Sequence, residues 1–300
     1  MSPATLPAER YLISVDAGVK VAHVEPASLP ANSWGMELID VFLLFPGPAR
    51  EAEAIGFRFG AKGTHTSRTM MLEELGHVLD ATAPDARRAD YAAAIIDGNC
   101  LSKPTASTRR LSNQRLGELY GLDPTIPLFR VLRRLWDVGA DGRPLLALLA
   151  AIARDPLLAA TCPAIVAMPA NAELRRDTMK GALQAVVGDR LNDSTLEKVC
   201  RNAASTWAQS GHLEGRTFKK RRSVVPSLTA VTFAIYLAHA TGFRGAEIFS
   251  CGWLSVLDCD PSLARELALD AKRSGLIDLR MAGDVVEFNL ARLYHYAGKA

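Results

Sequence analysis

From residue 66 onward, apolar positions recur at helical spacing; before it they do not. Met70, Met71, Leu75 and Leu79 follow Thr66-Ser67-Arg68 and predict a first helix. Further helices are expected over residues 89–97, 106–120, 127–136, 144–153 and 156–167, with Gly121 just past the end of the one at 106–120. The last two are strongly apolar and should be central. The pattern relaxes at 169–171, and a helix over 172–187 follows. Leu196, Val199, Cys200, Ala203 and Trp207 then form one apolar stripe, opened by Ser194 and Glu197 at capping-box spacing and closed by Gly211. Apolar helices are expected over 226–240 and 246–257. Asp260-Pro261 should cap another over 262–274 that stops at Gly275. There the period changes from 3.6 to 2. Ile277, Leu279 and Met281 alternate, Ala282-Gly283-Asp284 turns, and Val286, Phe288 and Leu290 alternate back as a hairpin.

The expected fold is therefore mainly α, with a helical N-terminal domain over 61–170. A C-terminal winged-helix-like domain over 171–300 would use the β-hairpin as its wing. Residues 1–60 read differently. They are acidic, Pro-containing and weakly periodic, with a strand or hairpin over 11–24 and a short apolar run over 41–45. A small appended β element, a poorly ordered extension and an over-long start to the reading frame are the open readings of this segment.

Composition narrows the class. Of 300 residues 49% are hydrophobic and 22% charged, which fits a globular chain rather than a disordered one. Ala and Leu dominate over a 7% aromatic content, which favours helix. The five cysteines form no CxxC pair, so a reducing compartment is expected, with Cys200 packed in the core. The start, MSPATLPAER, has no basic region followed by an apolar core, and no apolar run approaches the ~18 residues that span a bilayer. A cytoplasmic protein without membrane contact is expected.

The net charge of +3 says less than its distribution. Residues 1–60 carry four bases and seven acids, residues 103–134 seven bases and two acids, and residues 201–222 six bases and one acid. Two basic blocks in a nearly neutral chain suit an anionic partner. In the first, Lys103, Thr105, Thr108, Arg109 and Arg110 surround a helix start, where backbone N–H groups attract phosphate. Arg110 points away from the apolar stripe, whereas Arg115 lies within it and should pair structurally. In the second, Lys219, Lys220, Arg221 and Arg222 are consecutive, with Arg216 and Arg201 nearby. Consecutive cations suit a loop or strand edge that tracks a phosphate backbone. The preceding helix offers Lys198, Arg201, Asn202, Ser205 and Gln209 opposite its stripe, among them residue types that read base edges.

The six histidines (His23, His65, His77, His212, His239 and His295) show no metal-ligand spacing, and His77 and His239 should be core residues. No nucleophile elbow, Walker loop or dinucleotide fingerprint occurs, so neither an enzyme nor a cofactor is expected.

The order Ser67-Arg68-x-Met-Met-Leu-x-Glu-Leu, then Asp90-Tyr91, Ile95-Ile96-Asp97-x-Asn99-x-Leu101-x-Lys103-x-Thr105-x-x-Thr108-Arg109, then Arg115-Leu116, resembles the N-terminal half of BrxA-type accessory proteins of BREX bacteriophage-defence systems. The stretch from Ser210-Gly211-His212-Leu213 to Ala282-Gly283-Asp284-Val285-Val286-Glu287 is similar to that family's C-terminal half. Residues 1–60 have no counterpart in it. The resemblance implies a helical, winged-helix-like, non-catalytic protein that binds double-stranded DNA beside other defence proteins, with Lys103, Thr105, Thr108 and Arg109 as contacts. A protein-interaction scaffold, a winged-helix transcriptional regulator and a nuclease are the competing expectations.

Overall fold

The computed structural model describes residues 50–60, 62–283 and 285–294. Of the described residues 60% are helical and 6% are in strands, so the mainly α expectation holds. The strand or hairpin expected over 11–24, the apolar run over 41–45, His23, His295 and Asp284 lie outside the described residues.

Helices begin where caps and prolines place them. After α1 (Arg50–Ile55) and α2 (Leu72–Asp80) comes α3 (Arg88–Ile96). Helix α4 (Ala106–Tyr120) starts on Thr105, whose hydroxyl accepts the Thr108 N–H, and stops at Gly121. Helices α5 (Pro127–Val138) and α6 (Arg143–Arg154) carry proline in their first turn. The single helix expected over 156–167 is two, α7 (Pro156–Ala159) and α8 (Cys162–Val166). The break falls at Ala160 and Thr161, where the buried Thr161 hydroxyl accepts the Trp207 indole N–H at 2.8 Å. Helices α9 (Arg176–Val187) and α10 (Asp193–Gln209) follow. Asn192, not Ser194, caps α10, by accepting the Thr195 N–H at 2.9 Å.

Strands β1 (Leu213–Glu214) and β2 (Lys220–Arg221) pair antiparallel, Leu213 opposite Arg221. The extended segment 171–174 lies on the other edge of β2. There the N–H groups of Asn171 and Leu174 donate to the carbonyls of Arg221 and Lys219, and the Arg221 N–H to that of Ala172, each at 2.8 Å. Helix α11 (Leu228–Ala240) comes next. The helix expected over 246–257 is instead a 3₁₀ stretch, Gly245–Ser250, and one short turn, α12 (Gly252–Ser255). Asp260 caps α13 (Pro261–Arg273) through the N–H groups of Ser262 and Leu263. The C-terminal hairpin is present as β3 (Asp278–Ala282) and β4 (Val285–Asn289), with Leu279 opposite Phe288.

Two helices without a solvent face form the centre. Residues 145–154 of α6 and 229–238 of α11 are buried on every side, and the two helices pack on each other. Since one comes from each side of residue 170, the division expected there separates no two cores. Nor does the extension end at 60. Ala52 and Phe57 are buried, and the Phe57 ring meets Trp253 edge-on at 5.8 Å.

Candidate nucleic-acid interface

The first basic block is drawn inward. The Lys103 ammonium lies 3.1 Å from Glu74 of α2. The Thr105 and Thr108 hydroxyls sit 2.8 Å apart within the cap of α4. Arg109 donates to the Ile96 carbonyl at 2.8 Å, on the negative end of α3. Arg115 pairs with Glu118 at 2.8 Å, as its place in the stripe implied. Further along, Arg130 donates to the Pro124 carbonyl, and Arg133 is buried against Asp137 at 2.7 Å. Of the residues expected to clamp phosphate, Thr105 and Arg110 are exposed, and Arg110 alone makes no side-chain hydrogen bond or ion pair among the described residues.

In the second block, strand alternation divides the cations. Lys220 faces solvent and Arg221 faces the core, only 3% exposed. Arg221 pairs with Asp258 and donates to the Ile165 carbonyl at 3.1 Å. The expectation that Arg221 tracks phosphate is therefore corrected, since its charge is committed beneath the strand. Arg222 is exposed but held by Glu214 and Asn171. The half-buried Lys219 donates to the Gly215 carbonyl at 3.1 Å. Lys220 and Arg216 are exposed and have no side-chain partner among the described residues.

Helix α10 adds Lys198 and Arg201, both exposed and likewise unpartnered. Two of its expected base readers are occupied elsewhere. Asn202 donates to the His65 carbonyl at 2.8 Å and Gln209 to Thr69 at 3.3 Å, so both hold residues 64–70 against α10. The open cations of α10 and the second block are thus Lys198, Arg201, Arg216 and Lys220, on α10 and the hairpin that follows it. No hydrogen bond or ion pair joins them to the first block among the described residues.

Sequence reasoning missed the two buried histidines and misplaced a third: His77 is exposed. His65 stands between Asp155 and Thr206, 2.8 Å from each, and all three are at most 1% exposed. Burial by itself would raise the Asp155 carboxyl, but hydrogen bonds and charge from His65 hold it below its ordinary value. Hydroxyl, imidazole and carboxylate stand in the order of a nucleophile relay. Here the Thr206 hydroxyl is sealed from solvent and also accepts the Met70 N–H at 2.8 Å, so the trio works as a joint. The legible signal was Asp155-Pro156, which repeats the cap-and-proline pattern of Asp260-Pro261. His212 lies under the β1–β2 hairpin, 2.7 Å from the Val256 carbonyl and 2.9 Å from the Ser210 hydroxyl. Burial pushes it down to about 4.

A cleft of about 400 Å³ opens between α3 and α4, lined among others by Arg58, Arg88, Asn113, Asp123 and Arg154. Arg154 is almost buried, and its guanidinium collects the carbonyls of Gly56, Gly117 and Glu118. Desolvation, with Arg58 nearby, lowers it to about 10. Among the described residues no group of three His, Cys, Asp or Glu could hold a metal ion, and no single helix is long and apolar enough to cross a membrane. No family model matches the chain, and no curated protein matches it.

Proposed function

We propose that this protein binds duplex DNA as a non-catalytic accessory subunit, in the manner implied by its resemblance to BrxA-type proteins of BREX phage-defence systems. The contact surface in this reading is a winged-helix-like unit over residues 162–222. Its elements run α8, the extended segment 171–174, α9, α10, β1, β2, with β2 between β1 and the extended segment. Helix α10 is the recognition helix and the β1–β2 hairpin the wing. This moves the DNA-facing wing from the C-terminal hairpin to an earlier one.

One observation carries the reading. Lys198 and Arg201 on α10, and Arg216 and Lys220 on the hairpin that follows it, are each exposed without a carboxylate partner among the described residues. Unpaired cations keep their full attraction for phosphate, and each phosphate neutralised releases counterions. With Asn202 and Gln209 occupied, contact is mainly to the backbone and sequence preference is weak.

Anisotropy of a labelled random duplex, titrated with protein from about 50 to about 300 mM salt, tests this. Micromolar binding that weakens steeply with salt is expected. Absence of salt-sensitive binding at the lowest salt overturns it. A second reading, a scaffold for other defence proteins, is favoured at the C-terminal hairpin, where Met281 and Val285 are exposed. Stable co-purification with a partner alongside negligible DNA affinity would select it.

A further inference from the structure

The β1–β2 hairpin carries something that phosphate binding does not require. Phe218, at its tip, is 68% exposed, while the largest aromatic side chains elsewhere are buried. Arg216 precedes the ring and Lys219 and Lys220 follow it. The tip turns on Gly215, whose φ of +109° suits glycine and where a Cβ would collide with the Phe218 carbonyl. The base of the hairpin is fixed. Arg221 is anchored beneath it by Asp258, Arg222 clamps Glu214 across it, and residues 171–174 pair along its other edge. A hairpin anchored at its base thus presents one aromatic ring flanked in sequence by Arg216 and Lys220.

We propose that Phe218 is a wedge that enters the minor groove of duplex DNA and partly unstacks a base step, so that the protein bends the DNA it binds. This rests on the DNA-binding reading and adds a defined mode to it. Three features support a duplex as the occupant. A minor groove has phosphates on both rims, which matches cations on both sides of the ring. An apolar side chain inserted between base pairs kinks the duplex, and the bend brings more backbone toward the protein. Lys198 and Arg201 on α10 then offer a second line of cations, for which a single strand has no second backbone. A lipid surface fits less well, because Val225, the other strongly exposed apolar residue of this stretch, lies beyond the base of the hairpin and not at its tip.

The test uses the full chain and a duplex of about 20 base pairs carrying a donor and an acceptor dye at its ends. Wild-type protein should bind and shorten the end-to-end distance. Phe218→Ala should bind about tenfold more weakly and leave the duplex straight, whereas Phe218→Trp should retain both properties. Since the ring is exposed, an unchanged Tm will show that Phe218→Ala is folded. Bending by Phe218→Ala equal to wild type overturns the wedge and leaves DNA binding standing. So does tighter binding of Phe218-containing protein to single strands than to duplex, or a Phe218-dependent affinity for anionic vesicles that exceeds that for duplex. If wild-type protein binds no duplex at all, the DNA-binding reading fails first and the wedge falls with it.

Discussion

Two stretches of the chain repeat one order of elements, a helix followed by an antiparallel hairpin, and leave different numbers of cations unpaired. Around α10 and β1–β2, Lys198, Arg201, Arg216 and Lys220 stand without partners among the described residues. Around α13 and β3–β4, each arginine is engaged, and Lys272 is the one cation exposed without a partner among the described residues. Arg265 lies over the Phe249 ring at 5.4 Å, Arg273 pairs with Asp270, Arg280 lies 3.9 Å from Glu287 across the hairpin, and Arg292 lies 2.8 Å from Asp278. The tips differ too: Phe218 among cations in one, Val285 and Met281 in the other. Element order alone would assign both hairpins the same work. Pairing separates them, because a cation already neutralised by its neighbour releases little counterion when it meets DNA.

The comparison can be broken most forcefully at the anchor of the first hairpin. Asp258→Ala leaves the Arg221 charge buried and unpaired, and should cost about 3–5 kcal/mol in urea unfolding. The double variant Arg221→Met/Asp258→Ala should recover much of that loss. A single-variant loss below about 1 kcal/mol would mean that Arg221 reaches water and belongs with the open cations after all.

Acid should weaken the same hairpin next. His212 titrates near 4 in the folded chain because it is buried, against about 6.5 when unfolded. The unfolded state takes up the proton first as pH falls. Stability is therefore complete above about 6.5, declines between about 6.5 and about 4 by about 3 kcal/mol, and levels off below that for this group. His212→Gln should flatten the decline. A stability profile unchanged by that substitution would place the acid sensitivity elsewhere.

Charge reversal reads the two surfaces directly. Lys198→Glu/Arg201→Glu/Lys220→Glu should weaken duplex binding about a hundredfold on every sequence and reduce the salt slope by about 0.9 for each phosphate that is no longer neutralised. The smallest effect should come from Arg273→Glu/Arg280→Glu on α13 and β3, within about twofold of wild type. Equal losses from the two variants would dissolve the distinction.

Much of this architecture was legible in the sequence, for reasons that differ by element. Helix α4 and α13 carry their own punctuation: Thr105 and Gly121 for one, Asp260-Pro261 and Gly275 for the other. The β3–β4 hairpin declares itself by a change of period. What was illegible depends on partners far away in sequence. The break between α7 and α8 answers to Trp207, 46 positions from Thr161. The segment 171–174 pairs along so short a stretch that no alternation can develop. In the candidate site, Lys220 and Arg221 look alike in a run of four cations, and only pairing in β2 with Asp258, 37 positions away, assigns them opposite faces. The first block misled for a local reason. A helix start rich in Thr and Arg has the composition of a phosphate clamp and also that of a self-satisfied cap. Glu74 and the Ile96 carbonyl decide between them.

The joint of His65, Asp155 and Thr206 bears on how such a protein can be inherited. Its members are 90 and 141 positions apart, so the joint draws on chain from both sides of residue 170. A gene cut near residue 170 would yield an N-terminal product whose buried imidazole lacks the threonine hydroxyl, and a C-terminal product whose Thr206 lacks both. The basic hairpin is therefore a poor candidate for shuffling into other proteins by itself. It travels with the helices that precede it, and recombination that respects this fold would exchange both halves together.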